Sequence, residues 1–509
     1  MKLKDIIKGI DCKVDGDVEL EVKNIQFDSR KVAEGTLFVA QPGTKVDGHD
    51  FIGKAVEQGA VAVVCERVES EKWKVESGGV TFVVVQDSSE ALGLMAANFY
   101  GHPSRQLKLV GITGTNGKTT TVTLLHRMFR LLGHHVGLVS TIVNKVDEEE
   151  LPTGHTTPDA LELNQLLRKM VDAGCDYCFM EVSSHAVVQK RIAGVEFAGG
   201  IFSNITHDHL DFHKTMANYI AAKKGFFDAL PKEAWVLTNI DDRNGKVMVQ
   251  NTKAKVYTYG LQQKGDFHCR VIEEGFEGMH LEIRSKESGA KEVWCRLVGR
   301  FNAYNLLAIY GAAILSGAEP EEALRLLSTL EPAPGRFQYV NGRGITAIID
   351  YAHTPDALQN VIETIDAIRR PTQQLITVVG CGGDRDKTKR PEMAQIGAKG
   401  SDKLVLTSDN PRTEKPESIL DDMEAGLSAE QLSHTVRITD RRQAIRTACM
   451  MAREGDIILI AGKGHETYQE ELLGRIPELH RGLFHGRRPH LFHQRGLGVR
   501  HRDRSCERH

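Results

Sequence analysis

Residues 111–119, Gly111-Ile112-Thr113-Gly114-Thr115-Asn116-Gly117-Lys118-Thr119, constrain this chain more than any other stretch. An apolar run, Leu107 to Ile112, leads in, and a helix-like run, Thr119 to Leu132, leads out. Glycines let the backbone turn tightly and bring its N–H groups close to phosphate oxygens. The N-terminus of the following helix favours the same anion. Lys118 adds a point charge and Thr119 a hydroxyl suited to Mg²⁺. The spacing departs from the strict G-x-x-x-x-G-K-[ST], because Ile112 stands where the first glycine would be. Strand, glycines, Lys-Thr and helix nevertheless coincide, so a nucleoside triphosphate site is expected here.

The rest of the chain repeats the strand–helix alternation. Residues 1–103 carry short β-rich runs, Thr36 to Ala40, Ala60 to Cys65 and Val80 to Val85, between helical stretches. His102-Pro103-Ser104 reads as a linker. Residues 104–334 add strand candidates at Val136 to Ser140, Tyr177 to Val182, Gly200 to Asn204 and Trp235 to Asn239. Glu331-Pro332-Ala333-Pro334-Gly335 marks a second boundary. Residues 335–469 form a third α/β region, with runs at Ile345 to Asp350, Leu375 to Val379, Lys403 to Leu406 and Ile457 to Ile460. Short apolar strands separated by helical patterns predict parallel sheets covered on both faces. Ligands of such sheets bind beyond the carboxyl ends of the strands.

Composition excludes several classes. A net charge of −3 over 509 residues gives no electrostatic case for nucleic acid or an anionic membrane. No apolar run is long enough to cross a bilayer, and acidic residues come too early for a signal peptide. Nine cysteines do not make a dense disulfide framework. Cys175 and Cys178 form one C-x-x-C inside a strand-like run, with no second pair at zinc spacing. A cytoplasmic enzyme is expected.

Three segments of the middle region concentrate metal-type groups: Glu181-Val182-Ser183-Ser184-His185, Asn204 to Asp211 (NITHDHLD), and Ala221-Ala222-Lys223. A carboxylate and imidazoles at strand ends could hold Mg²⁺ against the triphosphate. A His-Asp-His cluster alone is more often a hydrogen-bonded turn; three such clusters in succession beside a phosphate loop favour a site.

In these segments the chain resembles the Mur ligases, ATP-dependent amide-forming enzymes of peptidoglycan precursor synthesis. The resemblance runs from about residue 20 to 469. It continues through Gly299-Arg300-Phe301-Asn302-Ala303-Tyr304-Asn305, Pro334-Gly335-Arg336 and Asp350 to Asp356. Gly382 to Lys387, Asp409-Asn410-Pro411-Arg412 and Gly462-Lys463-Gly464-His465-Glu466 complete it. It implies a small N-terminal α/β UDP-binding domain, a central P-loop ATPase domain with a parallel sheet, and a C-terminal Rossmann-like domain. Within the family, the match is to the enzymes that add meso-diaminopimelate as third amino acid to UDP-N-acetylmuramoyl-L-alanyl-D-glutamate, and a monomer is expected.

The resemblance also implies roles. Gly114, Thr115, Asn116, Gly117, Lys118, Thr119 and Thr120 would hold the ATP phosphates, Asn302 and Asn305 the base, and Arg336 and Asp350 the rest of the nucleotide. Thr119, Glu181, His209 and a carbamylated Lys223 would hold Mg²⁺, with Lys118, Lys223 and His209 catalytic. Lys224 is adjacent, so the choice of Lys223 rests on the match. Ser29 and the stretch Thr44, Lys45, Val46 would meet the UDP-sugar. Thr156, Thr157, Ser184, Gln189 and Arg191 would hold the sugar-dipeptide. Arg385, Asp409, Asn410, Pro411, Arg412, Gly462 and Glu466 would bind diaminopimelate.

The acceptor can be argued physically as well. Diaminopimelate differs from lysine by one extra carboxylate on its far carbon. An arginine fork matches a carboxylate with two hydrogen bonds, and would repel a lysine ammonium. Arg412 and Arg385 supply such guanidinium groups.

One feature departs from this picture. Residues 470–509 hold nine Arg and six His but no Lys, which reads as an aberrant, possibly frameshifted, tail rather than a domain. Folylpolyglutamate synthase, an ATP-driven motor, or an inactive binding protein are the competing readings.

Overall fold

The computed structural model describes residues 1–43, 46–67, 79–466, 468–471 and 474–477. Three sheets organise them. The first runs in the order Cys12–Asp15, Thr81–Val85, Ala60–Cys65, Thr36–Val39, Asn24–Gln26. Its first pair is antiparallel and the others are parallel. Its three middle strands, Thr81–Val85, Ala60–Cys65 and Thr36–Val39, are almost unbroken runs of buried residues, mostly Val, Ala, Leu and Phe, as a sheet covered on both faces requires.

The central sheet has eleven strands. Its parallel middle places Lys108–Thr113 between Gly199–Phe202 and Tyr177–Glu181. The register sets Glu181 beside Ile112 and Phe202 beside Thr113. Three motif-bearing strands therefore end side by side, and the loops that follow them converge. Helix Lys118–Leu131 packs one face of this sheet, joined by helix Arg300–Leu315, which is buried from Asn302 to Ala313 almost without interruption.

The sheet is not purely parallel, contrary to the sequence expectation. Beyond Lys255–Gly260, strands Phe267–Gly275, Gly278–Ser285 and Gly289–Cys295 extend it as an antiparallel meander. Asn144–Val146 and Glu149–Leu151 do the same at the other edge. These strands alternate buried and exposed residues, with one face on the core, a pattern whose short period is easily lost among charged side chains.

The third sheet has the order Gln338–Gly342, Ile345–Asp350, Ile457–Ala461, Leu375–Val379, Lys403–Leu406, Thr435–Arg437. All its neighbours are parallel except the first pair. After it, Tyr468–Glu471 and Gly474–Pro477 pair as an antiparallel hairpin. The boundary drawn at 469 therefore falls inside a hairpin; residues 478–509 lie outside the described residues. Among the described residues, no helix is long and apolar enough to cross a membrane.

Candidate active site

The phosphate loop is braced from the neighbouring strand. Asn204 accepts from Thr115 N through its backbone oxygen (2.8 Å) and from Asn116 N through its side chain (2.9 Å). Ser203 Oγ donates to the Asn116 carbonyl at 2.7 Å. Gly117 caps the helix at φ +87°, a region glycine alone adopts freely, and Asn305 Oδ1 sits where a Cβ would stand. Lys118 Nζ donates to the carbonyls of Gly114 and Thr115, both at 2.9 Å. Burial lowers the Lys118 pKa.

Glu181, 1% exposed, accepts from Thr119 Oγ1 at 2.9 Å and from the Thr141 amide at 2.8 Å. Thr141 Oγ1 also donates to it at 3.1 Å, and to Thr156 Oγ1 at 3.1 Å. Thr119 and Glu181 thus offer adjacent oxygens, the donor type that Mg²⁺ prefers, alongside substrate oxygens and water. No three His, Cys, Asp or Glu side chains among the described residues stand together as a metal cage. Any divalent ion there needs oxygens from a substrate.

Helix Met216–Asp228 settles an ambiguity of the sequence. Lys223 points inward, 1% exposed, and donates to the Gly114 carbonyl at 2.8 Å with its Nζ over the Tyr219 ring. Lys224 points away and pairs with Asp228 at 2.6 Å, one helical turn on. Burial, reinforced by the Lys118 charge, pushes the Lys223 pKa well below its usual value. That shift favours the neutral amine, the form that adds CO₂.

His209 adopts φ +54°, strained for a residue with a Cβ. Burial lowers its pKa to about 3, although Asp208 opposes this. Its ring lies 4.9 Å from that of His185, whose pKa burial lowers to about 4. Asp208 forms an ion pair with Lys389 of the third domain. Burial alone would raise the Asp208 pKa, but His209, Lys389 and His353 outweigh it and hold the carboxylate well below its usual range.

Other contacts also join the central and third domains. Asn116 Nδ2 donates to Asp356 at 2.8 Å, and His207 meets Asp386 at 3.2 Å. Arg336 donates to Thr119 Oγ1 at 3.1 Å while its guanidinium lies 4.3 Å from the centre of the Tyr351 ring. Asp350, whose pKa burial raises, accepts from the amides of Phe337 (2.6 Å) and Ala352 (2.8 Å). Its role in the fold is thus to hold the turn that carries Arg336.

Between these domains lies a cavity of 380 Å³. On one side are Lys118, Thr119, Glu181, His209 and Lys223; on the other are Arg385, Asp409, Asn410, Arg412, Gly462 and Glu466. Thr115, Asn116, Gly117, Thr120, Thr156, Ser184, Asn305, Arg336 and Asp350 also line it. Arg412, at φ +53°, donates to the Gly383 carbonyl at 2.8 Å and approaches Glu470 at 3.5 Å. Arg385 donates to the Asp384 carbonyl at 3.4 Å. Gly462, at φ +107°, leaves room for Asp409: a Cβ there would come within 2.7 Å of its Oδ2. A second cavity of 430 Å³ on the other side of Gly117 is lined by Asn305, Asp241, Tyr304, Asp356 and Asn360.

Several expected residues stand elsewhere. Asn302 lines neither cavity; it donates to the Val298 carbonyl and its Oδ1 accepts from Asn305, so it orients Asn305 from behind. Thr157 is fully buried and donates to the Glu181 carbonyl at 2.8 Å. Arg191 donates to Gln189 and to the Thr157 carbonyl, behind the cavity wall. Gly114 contributes its carbonyl to Lys118 and Lys223 rather than to the lining, and Pro411 does not line the cavity. Ser29 lies buried in the first domain, in the short helix Ser29–Lys31 capped by Asp28, and Val46 is exposed. Thr44 and Lys45 lie outside the described residues. His49, in the Asp47-Gly48-His49 stretch, is tied to Asp47 and to the Glu66 amide. Lys389 has no sequence signal, because its partner Asp208 lies far away along the chain, and Tyr351 stands in the Asp350–Asp356 motif without an assigned role.

The chain matches the Mur ligase family, catalytic domain over residues 21–100, the Mur ligase middle domain over 112–313, and the Mur ligase, glutamate ligase domain over 335–464. A protein of Phocaeicola vulgatus named UDP-N-acetylmuramoyl-L-alanyl-D-glutamate--2,6-diaminopimelate ligase is 55% identical over 472 residues, covering 92% of this chain and 96% of that one. A protein of the same name from Bacteroides thetaiotaomicron is 53% identical with the same coverage. A solved structure of a UDP-N-acetylmuramoyl-L-alanyl-D-glutamate--2,6-diaminopimelate ligase aligns with a TM-score of 0.66 and 32% identity, over 94% of this chain and 96% of that chain. The sheets, the motif-bearing strand ends and these matches agree: the chain belongs to the Mur ligase family.

Proposed function

We infer that this protein is an ATP-dependent, ADP-forming ligase that adds meso-2,6-diaminopimelate to the D-glutamyl γ-carboxylate of UDP-N-acetylmuramoyl-L-alanyl-D-glutamate, a step of peptidoglycan precursor synthesis. One observation carries this reading: a single cavity has a phosphate loop on one wall and paired arginines with carboxylates on the other. The relatives' names support the same substrates.

A carboxylate is a poor electrophile, so ATP supplies a leaving group. The γ-carboxylate oxygen attacks the terminal phosphorus of ATP, releasing ADP and leaving an acyl phosphate. The amine of diaminopimelate then attacks the acyl carbon; the tetrahedral intermediate expels phosphate, and the amine proton is lost. Lys118 and Arg336 neutralise charge that builds on the transferring group. Gly114, Thr115, Asn116, Gly117 and Thr120 cradle the phosphates, and Asn305, oriented by Asn302, faces the base. Thr119, Glu181, His209 and carbamylated Lys223 would hold Mg²⁺, which would draw the phosphate oxygens together and offset their charge. CO₂ would add to the uncharged Lys223 amine with release of a proton, leaving a carbamate anion able to ligate a divalent cation. Thr156, Ser184 and the first-domain residues Ser29, Thr44, Lys45 and Val46 belong to the UDP-sugar dipeptide path, with Thr157, Gln189 and Arg191 supporting it. Arg412 and Arg385 take the far carboxylate of diaminopimelate, and Asp409 and Glu466 face its far ammonium. ATP and a UDP-linked substrate place the reaction in the cytoplasm. All these groups come from one chain, so activity as a monomer is expected.

The test is incubation with ATP, Mg²⁺ and the UDP-sugar dipeptide, with either diaminopimelate or lysine, and mass detection of product. An amide product with diaminopimelate is expected. ATP hydrolysis without any amide product would overturn the reading.

A further inference from the structure

Lys463, in the Gly462–Glu466 stretch, has no role in the reading above, and it is fully buried. Its Nζ donates to three oxygens: Asn410 Oδ1 at 2.8 Å, Glu466 Oε2 at 2.9 Å and the Tyr468 carbonyl at 2.7 Å. An ammonium removed from water needs all its N–H groups paired, and three acceptors achieve that here. Two of the three belong to residues that line the amino-acid end of the cavity.

The consequence lies in Asn410. Its Oδ1 also accepts from the Glu470 amide at 2.7 Å. Two donors, Lys463 Nζ and Glu470 N, therefore meet the same atom, and only an oxygen can receive both. The Asn410 amide cannot be turned over. Its Nδ2 is left facing Glu466 Oε2, at 3.2 Å, and the cavity. Lys463 also holds the Glu466 carboxylate beside that amide, leaving its remaining lone pairs for a ligand. The wall thus shows a donor and an anionic acceptor side by side, next to the Arg412 guanidinium. This is the complement of an amino-acid centre: carboxylate toward Asn410 Nδ2 and Arg412, ammonium toward Glu466.

We propose that Lys463 is a positioning residue that fixes the hydrogen-bond polarity of the acceptor site, and so makes the site read a complete far amino-acid centre. This rests on the acceptor site proposed above. Without the Lys463 charge, the Glu470 amide alone would hold Asn410 Oδ1, and Glu466 would lose the cation that orients it. The phosphate loop shares no contact with Lys463, so ATP and the UDP-linked substrate should not sense the change.

The experiment has two arms, both on the full chain. In the first, wild-type protein is assayed with diaminopimelate and with 2-aminopimelate, which keeps the far carboxylate but lacks the far ammonium. We expect kcat/KM to fall at least about tenfold for the second, because Glu466 is left without its cation. In the second arm, Lys463→Met and Lys463→Gln are compared with wild type. Each should raise KM for diaminopimelate about 10- to 100-fold, a loss of roughly one or two tenfold steps. KM for ATP and for the UDP-linked substrate should stay within about twofold, and acyl-phosphate formation without acceptor should persist. Equal use of the two amino acids by wild type overturns the proposal even if neither variant folds. So does an unchanged diaminopimelate KM, or a parallel rise in all three KM values, which would mark Lys463 as structural only. No amide product from wild type with diaminopimelate would instead overturn the ligase reading beneath it.

Discussion

Arg336 reaches from the start of the third domain to Thr119 on the phosphate-loop helix, donating to its hydroxyl at 3.1 Å across 217 residues of sequence. Its guanidinium carbon lies 4.3 Å from the centre of the Tyr351 ring. A cation so placed links the third domain to the phosphate site. Arg336→Lys keeps the charge but loses the planar stack and the fork. We expect acyl-phosphate formation to slow about 10²-fold, the scale of one lost transition-state donor. Single-turnover kinetics with ATP and the UDP-linked substrate measure it, and a rate within threefold of wild type would remove Arg336 from the phosphoryl step.

Lys223 is expected to carry CO₂ in the active protein. Its burial, its lowered pKa and its contact with the Gly114 carbonyl motivate this. Lys223→Ala should be nearly inactive and partly rescued by acetate. Carbon-13 bicarbonate should label wild type, but not the variant, with a carbamate resonance. A wild-type-like Lys223→Ala would contradict the assignment.

Arg412 should select diaminopimelate over lysine. Removing one buried partner of a charge-assisted contact costs about 2–5 kcal/mol, or roughly 30- to 5,000-fold in kcat/KM. Arg412→Ala should lose diaminopimelate efficiency on that scale and hardly change ATP affinity. Lysine need not become a good substrate, because removing repulsion does not build a site for its ammonium. The comparison is kcat/KM for both amino acids in both proteins; a wild type that prefers lysine would end the specificity assignment.

A pH effect should come from Glu414, two residues after Arg412. Arg390, 1% exposed, donates to both its oxygens at 2.7 and 3.0 Å. These hydrogen bonds hold the Glu414 pKa down to about 2, against a usual 4.5. The folded state therefore prefers the carboxylate. Its contribution is complete above about pH 4.5 and is lost as pH falls toward 2. Glu414→Gln should cost about 2 kcal/mol at neutral pH and flatten the acid side of the stability curve. Urea unfolding at pH 7 and pH 3 would show it; equal losses at both values would contradict the pairing.

Much of the site is legible in the sequence because its motifs are local. Strand, glycines, Lys118 and Thr119 are neighbours in the chain, and a parallel sheet must bring the ends of adjacent strands together. Hence Glu181 and the Asn204–Asp211 stretch, at the ends of predicted strands, are expected beside the phosphate loop, with the family resemblance singling out their residues. Other features depend on contacts between residues hundreds of positions apart, and no local pattern encodes those. Lys223 and Lys224 differ only in which face of a helix they occupy, and packing against Gly114 decides that. Asn302 and Asn305 look alike in the sequence, yet one lines a cavity and the other supports it. The pairs Asp208–Lys389, Asn116–Asp356 and Arg336–Thr119 exist only once separate domains meet, and the wiring of Lys463 to Asn410 only once the third domain has folded. The sequence by itself determined the chemistry that each segment carries. The tertiary structure decided which of those groups share one buried space, because only burial removes the water that would otherwise keep their charges apart.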